Sequence, residues 1–87
     1  MSVTAVRILL FATMRRAAGC AVAEVEVPSQ GGSVEWCWEA LCRQHPDLSR
    51  HRETVRPALN RSYVGWDQVV VGGDELAFIP PVSGGAG

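Results

Sequence analysis

The chain has 87 residues and a mass of 9.4 kDa, so the sequence predicts one domain with a thin core and argues against a deep, self-contained catalytic pocket. A formal net charge of −1 gives no long-range attraction to nucleic acid or to an anionic membrane, and no segment is apolar over the roughly 20 residues of a membrane helix. All eight basic residues are Arg, which excludes chemistry and modification on Lys side chains. The three cysteines have no CxxC spacing and favour a reducing, cytoplasmic location over a disulfide framework.

Two strands are predicted at the start of the chain. Residues 3–11 are rich in aliphatic side chains, and residues 22–27 alternate apolar residues with glutamates. A polar break at 13–16 and a turn at Gly19 separate them, so the pattern indicates an antiparallel hairpin. The first strand places Val6, Ile8 and Leu10 on one face and Arg7, Leu9 and Phe11 on the other. The Arg on the second face indicates that this face is only partly covered.

A single amphipathic helix is predicted after the second strand. Ser33 is placed to cap its N-terminus, and Pro46 ends it. The apolar stripe at helical spacing consists of Val34, Cys37, Trp38, Leu41 and His45. We therefore expect Cys37 and Trp38 to pack in the core. Trp36 lies off the stripe and is expected to cover either a sheet edge or a partner.

The second half of the chain is predicted to add short strands. Residues 47–56 are Arg-rich and lack periodicity, which indicates a connecting segment. Short strands are expected at 58–60 and within 61–64, and the last strand at 75–79. Leu76 and Phe78 then face away from Ala77 and Ile79.

This order of elements is typical of an α+β fold of the β-grasp, or ubiquitin-like, type. We expect a mixed sheet of four to five strands, with one main helix across one face and with the first and last strands parallel at the centre. Pro80 and Pro81 stop further strand pairing. The domain is predicted to span residues 1–81, followed by a flexible Gly-rich tail at 82–87.

The usual enzymatic motifs are absent from the sequence. It contains no nucleophile elbow, P-loop or metalloprotease helix, and His45 and His51 have no further ligand at a metal-binding spacing. The Arg-rich segment has no interleaved aromatic residues, so we interpret it as solvated rather than as a nucleic-acid site. The remaining feature is the Gly-rich end after Pro81, because glycine lacks Cβ and a thin tail can enter another protein's active site. On pattern alone, this reading and an ordinary frayed terminus are evenly balanced.

The end of the chain also resembles a known family. The segment that carries the resemblance is Ala77-Phe78-Ile79-Pro80-Pro81-Val82-Ser83-Gly84-Gly85, preceded by Gly73-Asp74-Glu75. It is similar to the C-terminal segment of the small subunit of molybdopterin synthase, a ubiquitin-like sulfur carrier related to the carrier of the thiamine pathway. Similarities at residues 10–12, Arg15, Gly19, 59–60 and 63–64 extend the resemblance over essentially the whole chain. Arg16 departs from the acidic residue usual at its position.

The resemblance implies a protein that is non-catalytic alone and works through its terminal glycine, here Gly85 preceded by Gly84. An E1-like activating enzyme adenylates that carboxylate with ATP and converts it to a thiocarboxylate, and the carrier itself binds no cofactor and no metal. The large subunit of molybdopterin synthase then uses the sulfur in molybdenum cofactor biosynthesis. An apolar patch beside the tail docks both partners, and the matching residues are Phe11, Tyr63, Ile79, Pro80 and Pro81.

The residues after Gly85 leave a second interpretation of the function open. The sequence continues with Ala86-Gly87, so a protease must expose Gly85, or Gly87 is itself activated, or the extra residues disable the tail. Such extensions favour a sulfur carrier of another pathway, serving thiamine, cysteine or a thiolated secondary metabolite. A third reading, of a different class, is a non-catalytic ubiquitin-like binding module, which needs the apolar patch but no activated terminus.

Overall fold

The computed structural model describes residues 2–80, which form a mixed sheet with one long helix across one face. In chain order the elements are β1 (Val3–Leu10), α1 (Ala12–Ala18), β2 (Val22–Pro28), β3 (Gly32–Ser33), α2 (Val34–Gln44), a 3-10 helix (Pro46–His51), β4 (Arg56–Leu59), β5 (Ser62–Tyr63), β6 (Val69–Val70) and β7 (Glu75–Ile79). Five strands lie in the order β2-β1-β7-β4-β5, and β3 pairs with β6 in a separate two-stranded ladder.

The centre of the sheet is the parallel pair of β1 and β7, with Ile8 opposite Leu76. Strand β2 runs antiparallel to β1, and Val6 lies opposite Val25. Both relationships confirm the predicted α+β, β-grasp arrangement. The C-terminal ends of β1 and β7 therefore lie side by side.

The core lies between the sheet and α2. Its fully buried members include Val6, Ile8, Leu10, Val27, Val34, Cys37, Leu41, Leu76 and Phe78. Burying a large aliphatic or aromatic side chain of this kind contributes roughly 1.5–3 kcal/mol. Trp38 is buried, as predicted, and its ring meets the edge of Phe78 with centroids 4.9 Å apart. The stripe of α2 therefore packs on the inner face of β1, β2 and β7.

A second aromatic contact attaches the segment before β6 to this core. The ring of Trp66 stacks on Phe78 at 5.8 Å, and the guanidinium carbon of Arg52 lies 3.5 Å from the ring centroid of Trp66. Arg52 also pairs with Glu35, its Nε donating to Oε1 at 3.2 Å. Because Glu35 is on α2 and Phe78 is on β7, these contacts join four separate parts of the chain.

The expectation of a polar break between the first two strands was wrong. Residues Ala12–Ala18 form a short helix, whose Met14 is fully buried and whose end is capped by Gly19 in the left-handed conformation at φ 80°. The strands are antiparallel as predicted, but α1 and not a tight turn connects them. Only one large apolar residue falls in these two turns, so the sequence lacks the repeat that reveals an amphipathic helix.

The segment expected to be an irregular connection is also partly helical. Pro46–His51 form a 3-10 helix, and Leu48 is its fully buried residue. The Ser49 hydroxyl donates to the Pro46 carbonyl at 2.9 Å and stabilises the turn. A 3-10 helix of six residues buries too few side chains to produce a periodic pattern in the sequence.

The sequence analysis also considered membrane helices, metal sites and a C-terminal tail. No helix within residues 2–80 has the length and apolar character needed to cross a lipid bilayer. Across the same residues, no group of three or more potential metal-ligating side chains converges on one point. The predicted tail at 82–87, and the domain boundary at 81, lie outside the described residues.

Candidate functional site

The sheet face opposite α2 carries an open groove of about 490 Å³, which we call the outer-face groove. Its lining residues are Leu9, Phe11, Ala58, Arg61, Tyr63, Glu75, Ala77 and Ile79. The groove lies over β1, β7, β4 and β5, and it reaches Ile79, where β7 ends. Any group carried by the residues after Ile79 therefore starts from the border of the groove.

The register of the strands explains the shape of the outer-face groove. Leu9 lies opposite Ala77, Ala77 opposite Ala58, and Ala58 opposite Tyr63, so these four residues form one row across the sheet. The two central positions carry only methyl groups, whereas larger side chains stand at both ends of the row. The small residues thus leave a depression with an apolar floor.

Three of the predicted patch residues come together at the outer-face groove. Tyr63 is 63% exposed and Phe11 is 44% exposed, while Ile79 is half-buried between them and the strand end. Scattered exposed apolar side chains are ordinary, whereas these three line one groove on the same face of the sheet. Pro80 is half-buried directly after β7 and does not line the groove. Pro81, Gly84 and Gly85 lie outside the described residues.

The sequence contained a signal for only some of the other lining residues. Leu9 shares strand parity with Phe11, and Ala77 shares it with Ile79, so alternation alone could have placed both in the groove. Ala58 and Arg61 enter through the pairing of β4 with β5. Those strands are four and two residues long, too short for a pattern that fixes their register.

The turn between β4 and β5 places Arg61 at the groove. Asn60 and Arg61 both have positive φ, 50° and 73°, as a two-residue hairpin turn with the twist of its strands requires. Asn60 tolerates this conformation well, and its side chain accepts a hydrogen bond from the Glu75 N–H at 2.9 Å. A residue with Cβ is strained by about 1–2 kcal/mol in this left-handed conformation. Within residues 2–80, no side-chain hydrogen bond of Arg61 to the turn offsets that strain, as those of Asn60 do.

Two of the three cysteines, Cys37 and Cys42, have thiols that are hard to ionise. Burial raises the pKa of the Cys37 thiol from its ordinary 9.0 to about 11. Burial also raises the pKa of Cys42, and the nearby Glu35 and Glu39 carboxylates raise it further. Both thiols therefore stay protonated near neutral pH, and the full burial of Cys37 agrees with its predicted place in the core.

A larger cleft, of about 1050 Å³, lies between α2 and the edge strand β2, away from the end of β7. Two side chains of α2 reach the strand there. Trp36 Nε1 donates to the Glu26 carbonyl at 3.0 Å, and Gln44 Nε2 donates to the Glu24 carbonyl at 2.8 Å. Of the two roles considered for Trp36, the structure thus shows that it covers a sheet edge.

Comparison with known proteins identifies a family to which this chain is similar and several related proteins. Residues 8–85 match the model of the ThiS family. The chain is 38% identical over 80 residues to the molybdopterin synthase sulfur carrier subunit of Arabidopsis thaliana, covering 92% of this chain and 82% of the relative. It is 34% identical to the subunit of the same name from Homo sapiens, covering 92% and 93% of the two chains. The crystal structure of SAMP1 (small archaeal modifier protein 1) from Haloferax volcanii is also similar, with a TM-score of 0.83, 30% identity and coverage of 92% and 98%.

Proposed function

We propose that this chain, which belongs to the ThiS family of ubiquitin-like sulfur carriers, carries sulfur as a thiocarboxylate on a C-terminal glycine and serves as the small subunit of a molybdopterin synthase. The observation that carries the proposal is the outer-face groove, which ends at Ile79 and so adjoins the segment leading to Gly84 and Gly85. The names of the curated relatives support the choice of molybdopterin synthase.

The proposed chemistry needs only the terminal carboxylate from this chain. A carboxylate oxygen attacks the α-phosphorus of ATP in the activating enzyme, and pyrophosphate leaves. A donor of sulfide-level sulfur (HS⁻) then attacks the acyl carbon, so that a C–S bond forms and the C–O bond to AMP breaks. Loss of the remaining S–H proton leaves the thiocarboxylate. Adenylation is required because a free carboxylate has no good leaving group. The ATP requirement is consistent with a cytoplasmic location for the chain.

The proposed docking surface consists of the outer-face groove with Phe11, Tyr63 and Ile79, and of Pro80 and Pro81 beyond it. The E1-like adenylating enzyme and the large synthase subunit are expected to use this surface in turn. Gly85 lies six positions beyond Ile79 in the sequence, so an extended chain reaches about 20 Å from the groove. That reach allows a partner to hold the groove while its active site, which supplies the catalytic groups, receives the glycine.

The working terminus has two forms under this proposal. Either a protease removes Ala86-Gly87 and Gly85 carries the sulfur, or Gly87 carries it directly. The intact mass of the protein purified from its native cells under non-reducing conditions distinguishes them. A chain ending at Gly85 with one oxygen replaced by sulfur supports the trimmed form, and the same exchange on the full chain supports Gly87.

A deletion provides the matching functional test. Removing residues 84–87 should abolish sulfur transfer, because this variant has neither Gly85 nor Gly87, and the fold should remain stable because three glycines and one alanine offer almost no side-chain surface to bury. A mutant of Arg50, which is exposed on the 3-10 helix, serves as the control with unchanged transfer. Comparable pathway activity in the deletion variant would contradict both the proposed carrier and carriers for thiamine, cysteine or a secondary metabolite. Reconstitution with each candidate acceptor separates those pathways from one another.

The structural similarity to SAMP1, whose full name describes a modifier, favours one second candidate function. The same activated glycine would then form an amide with a Lys of a target protein. Recovery from cells of target peptides bearing the terminal glycine on a Lys would support this function. All eight basic residues of this chain are Arg, so such conjugates cannot branch through its own side chains.

A further inference from the structure

The rim of the outer-face groove carries two arginines on either side of its most exposed aromatic residue. The guanidinium carbon of Arg56 lies 5.3 Å from the ring centroid of Tyr63, and Arg61 lines the groove two residues before Tyr63. Both arginines are exposed. An arginine thus lies on each side of Tyr63 at one end of the apolar row, and Tyr and Arg are, with Trp, the residue types enriched at binding hot spots.

The backbone at Arg61 indicates that its side chain has a use beyond the turn. At φ 73°, glycine would satisfy the turn without strain, whereas Arg adopts this conformation at a cost. The side-chain hydrogen bonds that stabilise the turn come from Asn60. Within residues 2–80 the Arg61 side chain makes none of the hydrogen bonds that stabilise the turn, and Arg61 lines the groove.

The rim arginines keep their charge available for a partner. Among residues 2–80, neither Arg56 nor Arg61 has a carboxylate within 4 Å, and the one ion pair in that part of the chain joins Arg52 to Glu35. One carboxylate, Glu75, also lines the groove. Two guanidinium groups beside one carboxylate leave the rim with a net positive charge.

We propose that Arg56 and Arg61 determine which proteins the outer-face groove accepts, by pairing with carboxylates that flank an apolar side chain of the partner. The inference rests on the proposed function, because the occupant is the activating enzyme that docks on this groove. A guanidinium binds a carboxylate through two parallel hydrogen bonds, and the apolar floor beside it lowers the local dielectric constant. The apolar floor supplies affinity, and the rim cations exclude partners with a neutral or basic docking surface.

The experiment measures binding of the organism's own E1-like adenylating enzyme to the full chain by calorimetry, at about 50 and about 500 mM NaCl. The variants are Arg61→Glu, Arg56→Glu and Arg61→Gly, with Arg50→Glu as the matched control. Arg50 is exposed on the 3-10 helix, which packs with α1 and α2 on the other side of the sheet. We expect each rim reversal to weaken binding about tenfold at low salt and much less at high salt. Arg61→Gly removes the charge while suiting the turn, so a loss of about threefold in this variant cannot be ascribed to misfolding.

Two results would overturn the inference while leaving the proposed function intact. Either both rim reversals bind like the wild type at low salt, or Arg50→Glu weakens binding as much as they do. A wild-type chain that fails to bind the activating enzyme would overturn the proposed function, and the inference with it. Thiocarboxylate formation, read by mass spectrometry, reports on the proposed function independently of the rim.

Discussion

The side-chain amide of Asn60 donates a hydrogen bond to Asp74 Oδ1 at 3.0 Å and thereby joins the β4–β5 turn to the turn before β7. Asp74 Oδ2 in turn accepts from the Val71 N–H at 2.9 Å, and Asn60 Oδ1 accepts from the Glu75 N–H. Because β7 runs from Glu75 to Ile79, this network fixes the start of the strand that leads to the proposed sulfur-carrying segment. It also fixes the turn that presents Arg61.

The first prediction concerns this network. We expect Asn60→Gly to lower the free energy of unfolding by about 1–2 kcal/mol, because glycine adopts the positive φ but makes neither side-chain hydrogen bond. Asn60→Ala should cost about 1 kcal/mol more, since Cβ adds strain. Urea unfolding measures both values. A double-mutant cycle with Asp74→Ala is the control, and zero coupling between the two sites would show that the hydrogen bond contributes nothing.

The second prediction tests the outer-face groove as a docking surface. Ile79→Arg introduces a charge at the apolar floor and should weaken binding of the activating enzyme and of the large subunit at least about tenfold. Val69→Arg is the matched control, because Val69 is 54% exposed on the β3–β6 ladder and does not line the groove. Binding titrations of both variants with each partner measure the affinities, and circular dichroism verifies that both variants fold. Equal losses for the two variants, or none for Ile79→Arg, would contradict the assignment.

Strand periodicity was sufficient to predict which faces of the two central strands are buried, and the order of elements predicted that these strands pair in parallel. Alternation in β1 and β7 identified the buried faces with Ile8 and Phe78, and the same parity placed Phe11 and Ile79 on the opposite face. The N-cap was also predicted: the Ser33 hydroxyl accepts from the Trp36 N–H at 3.0 Å. These features are local, so each can be read from a few neighbouring residues.

The features that were missed depend on contacts distant in sequence. Helix α1 is stabilised by burial of Met14 and by packing against the 3-10 helix, and neither contact leaves a periodic trace in seven residues. Likewise, Ala58 and Arg61 belong to the groove only because two very short strands pair in one register. The outer-face groove was thus predictable where its lining residues follow the alternation of β1 and β7, but not where they lie on β4, β5 and the turn between them.

The third prediction follows from the buried thiol. The pKa of Cys37 is raised to about 11 in the folded chain from an ordinary 9.0, so between these values the unfolded state loses the proton and the folded state keeps it. The contribution of Cys37 to the free energy of unfolding is therefore constant well below pH 9. It falls by about 2–3 kcal/mol as the pH rises to 11. Urea unfolding at pH 8 and near 10.5 measures the decline.

Cys37→Ala is the control for that pH dependence. The substitution costs stability at every pH because it leaves a small cavity, but it removes the titrating group, so its decline with pH should be shallower. Other groups that titrate in this range contribute equally to both proteins and cancel in the comparison. Parallel declines in the two proteins would show that Cys37 is not the group responsible.

The last prediction concerns the edge strand β2. An exposed edge offers backbone groups to the strand of another molecule, and here Trp36 and Gln44 already occupy the carbonyls of Glu26 and Glu24. Trp36→Phe and Gln44→Ala should each cost about 0.5–1.5 kcal/mol, and the double variant should self-associate at concentrations where the wild type stays monomeric. Glu39→Ala, at an exposed position of α2, is the control. Light scattering distinguishes the cases: a double variant as monomeric as Glu39→Ala would mean that these donors do not protect the edge.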